Sequence, residues 1–309
     1  MMKQEDFKLY VEKAMASSEL AAMRPVVEKE LLHYEIFNAL DGDGLLKNLV
    51  FQGGTSLRLC RGSERFSEDL DFAGGRDFSA VSMEKVKDCI VKHIGERFGL
   101  KVTVKEPKPV EEGALVKVNK WVVSIETNPG SSDIPRQKIK IDIANIPAYT
   151  REAIPLRLNY TVLEGMRSPI VITETIDEIL ADKLVALPTS IAKFVNGDLV
   201  STPAKIRHRD IWDIAWLMGQ GANLRLDLIQ KKMVDYGIEH YNLLLNNAIQ
   251  TIQSIALGAD FKEQMQRFIT KSSHDRAFGT PGYNEFLAGE VSKLFLAIKP
   301  SLGAQSKPS

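Results

Sequence analysis

The 309 residues carry 40 Lys and Arg against 40 Asp and Glu, and 44% of them are hydrophobic. This balance excludes a disordered or collagen-like chain and gives no broad basic excess for non-specific nucleic-acid binding; the length implies one large or about two ordinary domains. No run approaches the ~18 apolar residues of a membrane helix, the start Met1-Met2-Lys3-Gln4-Glu5-Asp6 is no signal peptide, and Cys60 and Cys89 form no ligand pattern, so a cytoplasmic chain with two buried thiols and no membrane contact is expected.

Val26, Val27, Leu31, Ile36 and Leu40 recur at helical spacing and predict a helix from Glu5 to about Leu40, with Ser17 or Ser18 as a cap and Asp41-Gly42-Asp43-Gly44 as its end. Leu49-Val50-Phe51 reads as a strand, Gly53-Gly54 as a turn, Thr55 to Cys60 as a helical turn and Leu70-Asp71-Phe72 as a second strand. Ser82 to Phe98 has helical spacing; Lys101 to Lys105, Leu115 to Glu126 and Lys138 to Ile143 read as strands. After Pro155 the pattern turns helical, apart from a short Ile170-Val171-Ile172 run: Ile176 to Phe194, Lys205 to Met218, Leu224 to Tyr236, Tyr241 to Leu257, Phe261 to Thr270 and Asn284 to Ala297. Pro147, Pro155 and Pro169 mark the boundary, giving an α/β part over 1–155 and a mostly helical part over 156–309, with Ser306 to Ser309 as a frayed tail. The expected fold class is α+β, a mixed sheet with helices followed by a helical C-terminal part.

The densest chemical signal is Arg65-Phe66-Ser67-Glu68-Asp69-Leu70-Asp71-Phe72. On a strand Asp69 and Asp71 share one face while Leu70 and Phe72 enter a core, and two neighbouring carboxylates suit a hard divalent cation and its phosphate ligand. A solvated acidic strand face fits the same spacing. Upstream, Gly53-Gly54-Thr55-Ser56 lies between a strand and a helical turn, where backbone N–H groups and two hydroxyls meet an anion. Lys138-Ile139-Lys140-Ile141-Asp142-Ile143 alternates strictly and sets a third carboxylate, Asp142, mid-strand; beside Asp69 to Phe72 it would activate a hydroxyl or complete a metal site, and alone it fits a charged edge strand. Lys183 falls inside the apolar stripe Ile176, Ile179, Leu180, Leu184 and Leu187, either snorkelling or aimed at an anion. Asp210 flanks the stripe of Ile211, Ile214, Ala215 and Met218 with Arg207 nearby, while Asp213 is placed toward the polar face; an Arg207–Asp210 surface pair also fits. Lys205, Arg207, His208, Arg209 and Lys231-Lys232 are local basic clusters for an RNA backbone or simply solvated faces.

Four segments in this order resemble the AbiEii/AbiGii type of nucleotidyltransferase toxin, a branch of the DNA polymerase β-like superfamily. They are Gly53-Gly54-Thr55-Ser56-Leu57 with Arg65-x-Ser67-x-Asp69-x-Asp71-Phe72, then Lys140-x-Asp142, then Glu178-Ile179-Leu180-Ala181-Asp182-Lys183-Leu184, then Arg207-x-Arg209-Asp210-Ile211-x-Asp213-Ile214. The resemblance implies a nucleotidyltransferase-fold N-terminal part and a helical part contributing to the active site and to acceptor recognition. It implies that Asp69 and Asp71 bind Mg²⁺ or Mn²⁺, and that Gly53, Gly54, Thr55 and Ser56, with Arg65 and Ser67, hold the NTP. Lys183 would bind its triphosphate, Asp210 would assist catalysis or substrate placement, and Asp142 stands where many relatives carry a third carboxylate. The implied reaction moves a nucleotide from an NTP to an acceptor, in some members the 3′ end of tRNA, as the toxin of a toxin–antitoxin or phage-defence system with a separately encoded antitoxin. Modification of a protein or small molecule, or nucleotide or partner binding without turnover, are the rival readings. His208-Arg209-Asp210 and Asp71-Phe72-Ala73 imitate kinase motifs in the wrong order, and the five histidines match no hydrolase arrangement.

Overall fold

A computed structural model describes residues 5–108, 115–128 and 136–303; Ser306 to Ser309 lie outside the described residues. The chain forms two compact units, Met1–Glu174 and Thr175–Ser309.

In the first unit the Asp6 side chain accepts from the N–H groups of Lys8 and Leu9 and caps α1 (Phe7–Ala14), and α2 spans Arg24–Gly42. The single helix expected from Glu5 to Leu40 is thus two. Pro25, in the first turn of α2, has no N–H and its ring clashes with the preceding turn, so no helix passes through it; Ser18–Leu20 forms a 3₁₀ turn in the break.

The remaining elements are β1 (Val50–Gln52), α3 (Gly53–Arg61), β2 (Leu70–Ala73), α4 (Val86–Phe98), β3 (Lys101–Lys105), β4 (Val118–Glu126), β5 (Gln137–Ala144), β6 (Glu152–Pro155) and β7 (Ile170–Thr173). The strands form one sheet in the order β3-β4-β5-β2-β1-β7-β6. β2 runs parallel to β5 and β1 parallel to β7, while the other neighbours are antiparallel. β6 was not expected: it is a four-residue edge strand ending in Pro155, which has no N–H for a ladder, so its sequence reads as loop. β7 carries the first unit past the proline-rich stretch.

One sheet face is apolar, and α2 packs on β5 and α4 on β3. Ile139, Ile141 and Ile143 of β5 are fully buried there, as their alternation predicts. Phe51 of β1 and Phe72 of β2 stack at 5.2 Å between centroids, and Phe37 of α2 meets them at 4.9 and 6.0 Å. The other face therefore receives the odd members of the alternation: Asp71, Lys140 and Asp142.

The second unit contains α5 (Ile176–Ile191), β8 (Ala192–Val195), β9 (Asp198–Ser201), α6 (His208–Gly219), α7 (Leu226–Asp235), α8 (Tyr241–Leu257), α9 (Ala259–Gln266), α10 (Lys271–Gly279) and α11 (Tyr283–Gly303). α5 packs against α6, α7 and α8, and α11 runs along α8. The helix expected to reach Phe194 ends at Ile191, and β8 and β9 form a hairpin turning at Asn196-Gly197, both with positive φ (51° and 92°). That Asn-Gly pair is the hairpin signal; the helical spacing of the apolar residues before it masked the change of period. Pro188 inside α5 cannot donate to the Leu184 carbonyl, and the Tyr241 hydroxyl donates to that carbonyl instead at 2.7 Å. Among the described residues no helix is long and apolar enough to cross a membrane.

Candidate active site

The polar face of the first sheet has a fixed register. Gln52 of β1 lies opposite Asp71 of β2, Asp71 opposite Asp142 of β5, and Asp142 opposite Lys120 of β4. Directly paired residues point to the same side, so these four form one row across four strands. Asp69 and Lys140 lie one pleat away, with the Lys140 Nζ 3.2 Å from Asp69 Oδ2. The juxtaposition of Asp142 with the Asp69-x-Asp71 pair, conditional in the sequence, is present here.

Lys120 Nζ lies 2.5 Å from Asp142 Oδ2, while Asp142 Oδ1 is buried without a hydrogen-bond partner. Gln52 Oε1 is likewise buried and without a partner. Gln52 is the site residue that sequence reading missed. Its position directly before Gly53-Gly54 hid it, because only the β1–β2 register shows that its side chain joins the carboxylate row.

At Gly53 the backbone takes φ +75°, and a Cβ there would stand 2.9 Å from Asp71 Oδ2. A Cβ on Gly54 would stand 2.3 Å from Arg65 Nη2 and 3.2 Å from Ser67 Oγ. The two glycines let the start of α3 lie directly against Asp71 on one side and Arg65 with Ser67 on the other. The Thr55 hydroxyl donates to the Asp69 carbonyl at 2.5 Å and the Ser56 hydroxyl to the Gly53 carbonyl at 2.8 Å. Both side chains are buried, so their hydroxyls brace the turn, and the backbone N–H groups opening α3 are what an anion would meet. Arg65 is 3% exposed and donates through Nη1 to the Phe66 carbonyl at 2.7 Å.

α2 holds this loop from behind. His33 Nε2 lies 3.0 Å from the Glu68 carbonyl and Lys29 Nζ 2.7 Å from Glu68 Oε1. Glu30 pairs with Arg58 at 2.9 Å, whose guanidinium stacks 4.1 Å over the Phe66 ring. Complete burial pulls the His33 pKa down to about 4, so the ring is neutral and donates through Nε2.

In the second unit, Lys183 does not snorkel. It is 5% exposed, and its Nζ meets Asp210 Oδ1 at 2.8 Å and Asp213 Oδ2 at 2.7 Å. Arg207 Nε closes the cluster at 2.6 Å from Asp210 Oδ2. Burial alone opposes charge on Asp210, but Lys183 and Arg207 outweigh it and hold its carboxyl well below the usual carboxylate range. Asp213 is fully buried rather than on the polar face, because residues three apart on a helix share a side and Asp213 follows Asp210 inward. Two cations and two carboxylates make this cluster neutral.

A second buried cluster was not foreseen. Lys232 of α7, which reads as part of a basic surface pair, is fully buried with its Nζ 2.8 Å from Glu178 Oε1 and 3.0 Å from Asp182 Oδ2 of α5. The signal was available: Leu228, Ile229 and Lys232 follow helical spacing, which sets the lysine on the buried stripe. Lys232 therefore cannot reach an RNA backbone.

Among the described residues no three His, Cys, Asp or Glu side chains form a ready metal cage. The donors on the first sheet do fit a hard divalent cation. They are carboxylate and amide oxygens, two of them buried without partners, set beside a glycine whose missing Cβ leaves room at Asp71.

The family profile described as "Nucleotidyl transferase AbiEii toxin, Type IV TA system" matches residues 36–288. No curated protein matches significantly. The fold is similar to that of MenT4, a nucleotidyltransferase toxin from Mycobacterium tuberculosis H37Rv, with TM-score 0.50 and 15% identity over 96% of this chain and 99% of that one. It also resembles JHP933 from Helicobacter pylori, with TM-score 0.49 and 19% identity over 91% of this chain and 94% of that one. The 15% identity to MenT4 speaks for the fold alone. The profile, in contrast, runs from α2 into α11 across every motif described above, and the chain belongs to the AbiEii family of nucleotidyl transferase toxins of type IV toxin–antitoxin systems.

Proposed function

We propose that this nucleotidyltransferase moves a nucleotide from an NTP to an RNA acceptor, the 3′ end of tRNA, with release of pyrophosphate and with Mg²⁺ or Mn²⁺ as cofactor. The observation that carries this reading is the register Asp71↔Asp142 beside the Gly53 turn, which sets carboxylates and an N–H-rich helix start on one open face. Asp69 and Asp71 hold the cation, with the Gln52 amide oxygen beside them. When bound, the cation supplies charge neutralisation at the phosphates.

The chain's own residues do the rest. Backbone N–H groups of Gly53, Gly54, Thr55 and Ser56 receive phosphate oxygens at the start of α3, and Arg65 and Ser67 back them. Asp142 accepts the proton of the acceptor hydroxyl, a role supported by its unpartnered Oδ1, while Lys120 holds the other oxygen of the same carboxylate. By the family resemblance Lys183 is the residue for the triphosphate; Asp210 and Asp213 hold its ammonium, and a phosphate oxygen would take the place of one of them. As a type IV toxin it is restrained by an antitoxin partner, and growth arrest or phage defence is the consequence of its activity.

The test incubates the purified protein with Mg²⁺, total RNA and each labelled NTP in turn. Label in a tRNA-sized band supports the reading and names the nucleotide. Label confined to protein overturns the RNA acceptor.

A further inference from the structure

The second unit contains a pocket of about 430 Å³ that the nucleotidyl-transfer chemistry does not use. It lies where the end of α5, the β8–β9 hairpin and the start of α8 meet, and Lys193, Phe194, Asn196, Glu239, His240 and Leu244 line it. The floor is apolar, with Leu244 and Ala192 buried. One wall is an aromatic pair: the Phe194 and His240 rings lie 4.3 Å apart at an interplanar angle of 34°. Lys193 and Asn196 stand exposed at the rim.

His240 is held in this wall at a conformational cost. Its φ is +52°, in the left-handed region that an L side chain enters at about 1–2 kcal/mol. Asn196 shares that conformation (φ 51°), but there an Asn-Gly hairpin turn requires it. His240 precedes α8 and its side chain makes no capping bond, so capping does not explain the strain. What the strained backbone does achieve is to set the imidazole on Phe194.

We infer that the pocket binds one nucleotide of a single-stranded RNA acceptor. The flat heterocycle stacks on the Phe194–His240 wall, the Asn196 amide meets its polar edge, and Lys193 with the uncapped start of α8 meets the phosphate. A free anion has no use for the ring pair, and an aliphatic ligand has none for the cation and amide. The pocket lies at the C-terminal end of α5, on the same helix that carries Lys183. This inference rests on the proposed RNA acceptor and gives the helical unit its share in recognising it.

The experiment titrates the full-length protein, as parent, Phe194→Ala and His240→Gly, against a labelled short single-stranded RNA and the matching duplex, read by fluorescence anisotropy. Each variant should bind the single strand about ten-fold more weakly, the loss of one stacked base. His240→Gly should unfold at the same or a higher temperature than the parent, since glycine relieves the strained φ; a purely structural role would lower it. Parent-like single-strand binding by both variants, or a parent that binds the single strand no better than the duplex, overturns the pocket. Labelling of RNA by the parent together with parent-like binding by both variants overturns the pocket and leaves the acceptor reading standing. Absence of RNA label overturns the acceptor reading, and the titration then decides the pocket by itself.

Discussion

Gly53 shows how much of this site hangs on single positions. Its φ of +75° is strained for any L side chain, and its Cα lies against the Asp71 carboxylate, 2.9 Å from where a Cβ would be. Gly53→Ala should therefore cost about 1–3 kcal/mol of stability and displace Asp71, lowering transfer far more than unfolding accounts for. Denaturation and pyrophosphate-release assays on the same preparation separate the two effects; a variant with parent activity would show that the close approach is dispensable. The need for glycine at this turn was legible in the sequence, as were the alternating carboxylates of Asp69-Leu70-Asp71 and Ile141-Asp142-Ile143. The contribution of Gln52 was not, because which residue faces Asp71 is fixed by strand register rather than by neighbours in sequence.

α5 is the organising element of the second unit, because it carries buried charge of both signs. Lys183 is answered by Asp210 and Asp213 of α6, and Glu178 with Asp182 by Lys232 of α7. Removing one partner of such a pair leaves an uncompensated buried charge, at about 3–5 kcal/mol. Lys232→Met should destabilise the protein by that amount, and adding Glu178→Gln should recover a large part of it, as measured by chemical denaturation. Lys140→Ala at the half-exposed Lys140–Asp69 pair should change stability by no more than about 1 kcal/mol. Equal effects at the two sites would contradict the burial argument. The helical periods of α5 and α7 were visible in the sequence. The pairing was not, since an apolar stripe containing a lysine does not say which carboxylate on another helix meets it.

For the whole molecule, the formal neutrality conceals buried titratable groups that set an acid limit. His33 is neutral in the fold with its pKa lowered from 6.5 to about 4 by burial, so the unfolded chain takes up the proton first. Its contribution is fully present above about pH 6.5 and is lost as the pH falls towards 4, about 3 kcal/mol in all. Asp210, held below the usual carboxylate range by Lys183 and Arg207, adds a further loss in stronger acid. The unfolding free energy of His33→Gln should fall less steeply between pH 6.5 and 4 than that of the parent, and an unchanged slope would show that His33 is not the group that titrates.

The α+β division and the carboxylate strands followed from alternation and spacing along the chain. The edge strand β6, the β8–β9 hairpin and α10 did not, because short elements carry too few residues to set a period. The carboxylates brought together by β2 and β5 are the groups proposed to perform nucleotidyl transfer. The most direct test is pyrophosphate release in the presence of NTP, Mg²⁺ and RNA by Asp71→Asn beside the parent, with thermal unfolding of both. Asp71→Asn should lose at least about a hundredfold in release at an unchanged unfolding temperature. Parent-like release by a folded Asp71→Asn variant would contradict that role.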